Sequence, residues 1–320
     1  MHAETTSETA AKPGRVPSKK RKLWLDIKRD KYLYLIALPG LLYFLIFKYV
    51  PIGGLAVAFQ NYSPYFGILK SEWVGLEHFQ RFFSNEDFYI LFRNTMAINL
   101  LNLTFFFPFP IILSLLLNEL RSFAYKRFVQ TIIYVPHFLS WVIIAGLTFL
   151  MLSESEGLIN KLIAALGMKP ISFLTEPNYF WGMLTAQSMW KEAGWGTIIF
   201  LAAIAGVDPQ LYEAAVMDGA NRFRQMWHIT LPAIRNVIVI LFILRLGAIM
   251  DTGFEQVYLM MNGAVSHVAD VFDTYVYRTG IKQGEFSYST AIGLFKSVVG
   301  VILVVLANKM AKRFGEEGVY

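Results

Sequence analysis

Six stretches of the chain are apolar for long enough to cross a bilayer, and charged or mixed stretches separate them. They cover about residues 32–58, 94–117, 128–152, 180–207, 233–250 and 288–308. A hydrocarbon core of ~30 Å takes ~20 mostly apolar residues in a helix. None of the six alternates cleanly with period two, and all are too long for tilted barrel strands, so the pattern predicts helices. The expected fold class is an all-α polytopic membrane protein with six transmembrane helices. No internal repeat is visible.

Composition agrees. Only 16% of the 320 residues are charged, against an apolar fraction of 55%, where an average soluble domain carries about 25% charge. Mean hydropathy is +0.45. A soluble globule could not hide that much apolar surface behind so few charges. There is no cysteine, which excludes a disulfide or Cys-ligated metal scaffold.

The basic pI of about 9.3 raises nucleic acid as a partner until the basic residues are placed. With the N-terminus inside, the inner segments hold more than twice as many of the 29 Lys and Arg as the outer ones. Lys48, Lys191, Arg245 and Lys296 remain within spans. That bias puts both termini in the cytoplasm and leaves nucleic-acid binding without support. Residues 1–22 read as a disordered basic cytoplasmic tail, and 23–320 as one six-helix membrane domain. A basic stretch before an apolar run also describes a signal peptide. This one is long for that, and five more spans follow, so the first helix is expected to be retained. The outer segments 59–93, 153–179 and 251–287 carry Trp73, Phe79, Phe82, Phe83, Tyr179 and Tyr258. These read either as an interfacial aromatic belt or as a docking surface for an outside partner.

Catalytic motifs are missing. No G-x-x-x-x-G-K-[ST], H-E-x-x-H or G-x-S-x-G occurs, and no two of the five histidines have metal-ligand spacing on one helix. No catalytic residue, metal ion or cofactor is expected on this chain. A six-span subunit that works in pairs is the natural remainder.

The segment 208–232, between the fourth and fifth spans, is the most informative. Asp208 followed by Pro209 predicts a helix start, and Glu213 lies where the helix dipole favours negative charge. Leu211, Ala214, Ala215 and Asp218 share one face. The two alanines leave it shallow, so another backbone can approach. Gly219 permits a sharp turn. A second short helix is expected to put Phe223, Met226 and Trp227 on one side, and Pro232 suits the first turn of span five. The segment is either a helical hairpin lying on the membrane surface or a rigid knob that docks into a cytoplasmic partner.

Here the residues carry a resemblance. The pattern E-A-A-x-x-D-G-A, eight residues, then I-x-L-P is matched by Glu213, Ala214, Ala215, Asp218, Gly219, Ala220, Ile229, Leu231 and Pro232. It resembles the EAA loop of the inner-membrane permease subunits of ABC importers, and falls at that family's usual place before the penultimate span. Trp190-Lys191-Glu192-Ala193-Gly194-Trp195, the stretch from Asp273 to Arg278, and Gly315-Glu316-Glu317-Gly318 resemble the carbohydrate branch. Within it the chain looks most like permeases for complex oligosaccharides, such as the alginate importer and the pectin- and xylan-fragment importers. The likeness implies the type I importer permease fold (MetI-like) in a bacterial inner membrane. It also implies a second homologous permease, two cytoplasmic ABC ATPase subunits that hold the Mg-ATP, and an extracytoplasmic binding protein that delivers the sugar. Glu213 would meet a basic residue of the ATPase, and Gly219 would form the bend of the coupling helix.

Polar residues inside spans are costly and usually face the bundle interior or a watery cavity. Asn99, Asn102, Gln187, Trp190, Lys191, Trp195 and Arg245 are the candidates for a translocation path. The polar groups would bind sugar hydroxyls, the indoles would stack on sugar rings, and Lys191 or Arg245 would meet the carboxylates of an acidic cargo such as alginate fragments. Interhelical pairing is the other reading, for example Arg245 with Asp251. Lys48 is expected to snorkel. A stand-alone channel or carrier, or a membrane enzyme, are the competing functions. ATP-dependent uptake and co-elution with an ATPase separate the first reading from both.

Overall fold

The computed structural model describes residues 28–315, 318 and 319. The tail expected at 1–22, and Glu316 and Glu317, lie outside these residues. The chain divides into two compact units, Met1–Leu55 and Ala56–Tyr320. In the first, helix α1 (Lys31–Phe44) buries no residue. It continues through a wide π turn, Leu45–Tyr49, into a tighter 3-10 stretch, Val50–Phe59. Together they make an apolar helix of 29 residues.

The second unit opens with a two-stranded antiparallel ribbon. β1 (Gln60–Asn61) and β2 (Glu72–Trp73) pair Gln60 with Trp73. The Gln60 amide donates to the Ile68 carbonyl at 3.0 Å and closes the loop between them. The amphipathic α2 (Glu77–Ser84) follows and buries Phe82. Helix α3 (Asp87–Leu101), a π turn at Asn102–Phe106 and α4 (Pro108–Asn118) form one apolar helix of 32 residues. It begins seven residues before the apolar run does. Next come α5 (Phe123–Tyr134), α6 (Trp141–Leu152), α7 (Leu158–Ala165) and the long α8 (Pro177–Ala205). After α8 come α9 (Pro209–Met217), α10 (Arg222–Gln225), α11 (Arg235–Gly247), α12 (Phe254–Met260), α13 (Phe272–Val276) and α14 (Phe286–Arg313).

Among the described residues, three helices are long and apolar enough to cross a membrane unbroken: Lys31–Phe59, Asp87–Asn118 and Phe286–Arg313. The other three apolar stretches pass only as bent pairs. The third is not the single helix its hydropathy predicts. Phe123–Phe138 and Trp141–Leu152 meet at 103°. Pro136 lies in a 3-10 turn, Leu139 is extended, and the Ser140 hydroxyl caps α6 by accepting the Ile143 N–H at 3.3 Å. A capped start requires a fresh helix, so the break is written in Pro136 and Ser140. The fourth stretch ends in a 71° bend between α8 and α9, and the fifth has a 58° bend before Arg235. Pro232 therefore sits in a short turn, Leu231–Ala233, ahead of the bend and not in the first turn of α11.

Prolines also set the wide turns. The π turns Leu45–Tyr49, Asn102–Phe106 and Met226–Thr230 each end two residues before a proline: Pro51, Pro108 and Pro232. A proline ring clashes with the carbonyl four residues back. Those carbonyls belong to Phe47, Thr104 and His228, inside the widened turns. The bond five residues back replaces the lost one, as from Phe107 N–H to Asn102 O at 2.9 Å.

Glycines set the closest helix contacts. At Gly300 on α14 a Cβ would lie 2.5 Å from the Gly247 carbonyl oxygen of α11. On α8, a Cβ at Gly194 would overlap the Ile133 carbonyl of α5. Three apolar clusters fill the unit. Ile98, Phe180, Leu184, Val257 and Val271 form one. Phe82, Leu91, Phe272, Tyr288 and Ile292 form a second. Leu115, Phe200, Ile204 and Ile234 form a third. Phe82 is thus a core aromatic, ringed by Phe88, Phe272 and Phe295, and belongs to neither an interfacial belt nor a docking surface.

Candidate functional site

The segment 208–232 folds as its caps dictate. Asp208 Oδ1 accepts the Gln210 N–H at 2.9 Å, and Pro209 takes the first helical position. Helix α9 ends in a left-handed residue, Gly219, at φ +77°. Two backbone bonds close that end: Gly219 N–H to Val216 O at 3.0 Å and Ala220 N–H to Ala215 O at 2.8 Å. This paired closure satisfies carbonyls that a helix end leaves open. Asn221 then caps α10 by accepting the Arg224 N–H at 2.9 Å.

Three further bonds brace the hairpin. The Tyr212 and Thr230 hydroxyls meet at 2.9 Å, and the Gln225 amide donates to Ala220 O at 2.9 Å. Arg222 pairs with Glu119, just past the end of α4, at 3.1 Å. The hairpin is therefore stiff, yet no residue of α9 is buried. Leu211, Val216 and Met217 face outward, Met217 at 87% exposure. Glu213 is exposed and makes no ion pair among the described residues. A hollow of about 380 Å³ lies beside Ala215, Asp218, Ala220, Arg224 and Ile229. Another of about 710 Å³ adjoins Tyr212, Glu213, Ala214 and Met217. Leu231 packs on the third core cluster, while Pro232 is exposed. Phe223 and Trp227 are exposed together, but Met226 joins that cluster. The π turn that starts at Met226 is wider than an α turn, so the three do not share a side.

The path candidates fall in separate places. Asn99 and Asn102 are both buried on the α3 side of the proline-widened turn. Asn99 donates to Thr95 O at 3.0 Å, and Asn102 Oδ1 has no partner among the described residues. Gln187 donates to the Thr148 hydroxyl at 2.7 Å and accepts from Gln256 at 3.0 Å. Gln187 and Trp190 line a mostly apolar cavity of about 770 Å³, bounded also by residues of α6 and by Phe173 and Tyr179. Lys191, 6% exposed, is turned inward: its ammonium donates to His137 O at 2.7 Å and pairs with Glu192 at 3.1 Å. Trp195 is half exposed and lies flat on the His137 ring.

Arg245 forms no salt bridge among the described residues. Its guanidinium lies 5.7 Å from the Phe106 ring centre. The expected pairing with Asp251 is not made. Asp251 pairs with Lys296 at 2.8 Å, and Lys296 also pairs with Asp273. Lys296 projects from the neighbouring α14, which packs against α11, and so reaches Asp251 directly.

Several polar residues of this interior escape the sequence reading: His137, Glu192, Gln256, and Asp273 as the partner of Lys296. Glu192 had a signal, since it adjoins Lys191 inside an apolar run. Gln256 had none, because α12 lies outside every apolar stretch.

Bent apolar helices around a polar interior, joined to a stiff hairpin with every residue of its first helix unburied, define a membrane-embedded transport subunit. Residues 107–316 match the family described as binding-protein-dependent transport system inner membrane component. The chain belongs to that family. It is 57% identical over 302 residues to the polygalacturonan/rhamnogalacturonan transport system permease protein YteP of Bacillus subtilis, covering 94% of each chain. It is 59% identical over 294 residues to protein LplB of the same organism, covering 92% of each. Among solved structures it resembles a chain of the bacterial alginate ABC transporter in complex with alginate pentasaccharide-bound periplasmic protein. The TM-score is 0.86 at 41% identity, covering 93% of this chain and all of that one.

Proposed function

We propose that this chain is the transmembrane permease subunit of an ATP-driven ABC importer. With a second, homologous permease it forms the passage for a carbohydrate, a complex oligosaccharide with acidic sugars, that an extracytoplasmic binding protein delivers. The observation that carries the proposal is the 208–232 hairpin, braced from within and unburied along α9. A surface that rigid and that apolar is built for a partner. In this reading Glu213 to Ala220 enter a groove of a cytoplasmic ATPase, and ATP-driven closure of two ATPases moves the two hairpins together. The helices behind them then alternate between inward- and outward-facing packings as rigid bodies. Each bent pair counts as one crossing, which gives six, with both termini in the cytoplasm. The chain performs no catalysis and binds no cofactor; Mg-ATP stays on the ATPase. The names of the similar proteins, which concern polygalacturonan, rhamnogalacturonan and alginate, support the acidic cargo. Arg245, with no carboxylate paired to it, offers a charge for it on the passage, with Asn99, Asn102, Gln187, Trp190, Lys191 and Trp195 as the other path residues.

The test is reconstitution in liposomes with the second permease, the ATPase and the binding protein loaded with a uronic oligosaccharide. Uptake that needs ATP and all partners is expected. Solute movement by this chain alone, without nucleotide, would establish a stand-alone channel or carrier instead.

A further inference from the structure

The stretch from Trp190 to Trp195 does something its resemblance does not explain: it grips the break in the third apolar stretch. Four contacts of different kinds converge there. The Lys191 ammonium donates to the His137 carbonyl at 2.7 Å, at the end of the 3-10 turn. Glu192 accepts from, or pairs with, His137 Nδ1 at 2.7 Å through one oxygen and holds Lys191 at 3.1 Å through the other. The Trp195 indole stacks on the His137 ring, 4.6 Å between centres and 7° from parallel. Gly194 lets the α8 backbone touch that of Ile133, where no Cβ fits. Lys191 also lies 5.5 Å from the Trp141 ring, on the far limb of the break. Both limbs are therefore held by one short piece of α8.

Burial makes this grip costly to release. A helix that stops inside a membrane leaves carbonyls without donors, and lipid supplies none. The Lys191 ammonium supplies one, and it is itself too buried to find water. Parting α8 from the break would strand a cation, a carboxylate and a carbonyl together. Below the grip α8 runs unbroken to Ala205, about 20 Å at 1.5 Å per residue, and turns directly into α9. Motion imposed on α9 thus has a stiff route to the bend at residues 139–140.

We propose that Lys191 and Glu192 are positioning residues that make the bent third stretch travel with α8, so that displacement of the 208–232 hairpin reaches the passage. The inference rests on the importer reading above. Without the grip, the ATPase turns over while the passage follows poorly.

The test uses the full importer complex in liposomes and reads cargo taken up per ATP hydrolysed. Lys191→Met is expected to lower that ratio about tenfold, a coupling loss in the range of linked sites, with normal yield of assembled complex. Lys191→Arg, which keeps the charge and a donor, is expected to stay within about twofold of the wild type. A packing role alone would lower assembly or total uptake and leave the ratio where it was. A second arm does not depend on Lys191. The chain has no cysteine, so His137→Cys combined with Glu192→Cys can be bridged specifically by a short bis-thiol reagent. The unbridged double variant is expected to have a low ratio and the bridged one to recover it. An unchanged ratio in Lys191→Met, or uptake abolished by the bridge, overturns the inference while wild-type uptake stands. Wild-type liposomes that take up nothing with ATP overturn the importer reading and this inference with it.

Discussion

Gly219 is where one residue's backbone decides the geometry of the proposed coupling surface. Its φ of +77° is strained for any residue with a Cβ, and nothing else crowds the site. Gly219→Val is therefore a conformational change without a clash. It should cost about 1–2 kcal/mol in the turn and reduce co-purification with the ATPase, measured on detergent extracts, while the chain still inserts. Asp208→Ala removes only the helix cap, about 1 kcal/mol, and should weaken the same association less. Both residues were legible in the sequence, because capping and left-handed turns are local rules. Arg245 was legible as an oddity but not in its surroundings, since which carboxylate reaches a cation depends on the neighbouring helix. If it faces the cargo, Arg245→Gln should lower uptake of a uronic oligosaccharide about tenfold more than uptake of a neutral one. That ratio corresponds to about 1.4 kcal/mol, within the worth of a charge-assisted hydrogen bond. Equal losses for both cargoes would make Arg245 a packing residue.

At the scale of helices, hydropathy found every apolar stretch but could not see that half of them are bent. Apolarity reports what a segment touches, not whether its axis is straight. The breaks were written in other residues: Pro136 and Ser140 for the third stretch, and Pro232 for the fifth. The polar ties between elements were less legible still. Lys296, Asp251 and Asp273 lie on three different elements, and no spacing rule links them. Lys296 and Asp273 are mostly shielded, with side chains 10% and 20% exposed, and Thr252 adds two hydrogen bonds to Asp273. Removing one partner of such a pair leaves the other charge stranded, at about 3–5 kcal/mol. Lys296→Met should lower the unfolding temperature in detergent markedly. Combining it with Asp273→Asn should restore most of the loss, because the uncompensated carboxylate goes with it. Simple addition of two losses would mean that the residues act independently.

The whole molecule exposes apolar surface that its own fold does not cover. All of α1 and much of α6, α8 and α14 present large apolar side chains outward. Lipid and subunits are the natural partners for such surface. The class of the molecule was readable because composition, six apolar stretches and one long motif agreed. Its cargo was not, because the polar residues of the interior are few, spread over several helices and largely bonded to one another.

One consequence follows from the widened turn at Asn102–Phe106. It holds one residue more than an α turn needs, so the two halves of that helix keep different angular phases. Asn94, Asn99 and Asn102 face inward before it, and Pro110, Ser114 and Leu117 after it. Deleting a single residue there would swing the later half by about 100° and turn its buried side chains toward lipid. A proline thus acts as a phase-shifter for everything downstream of it, and length variation at this point would be read by the molecule as rotation.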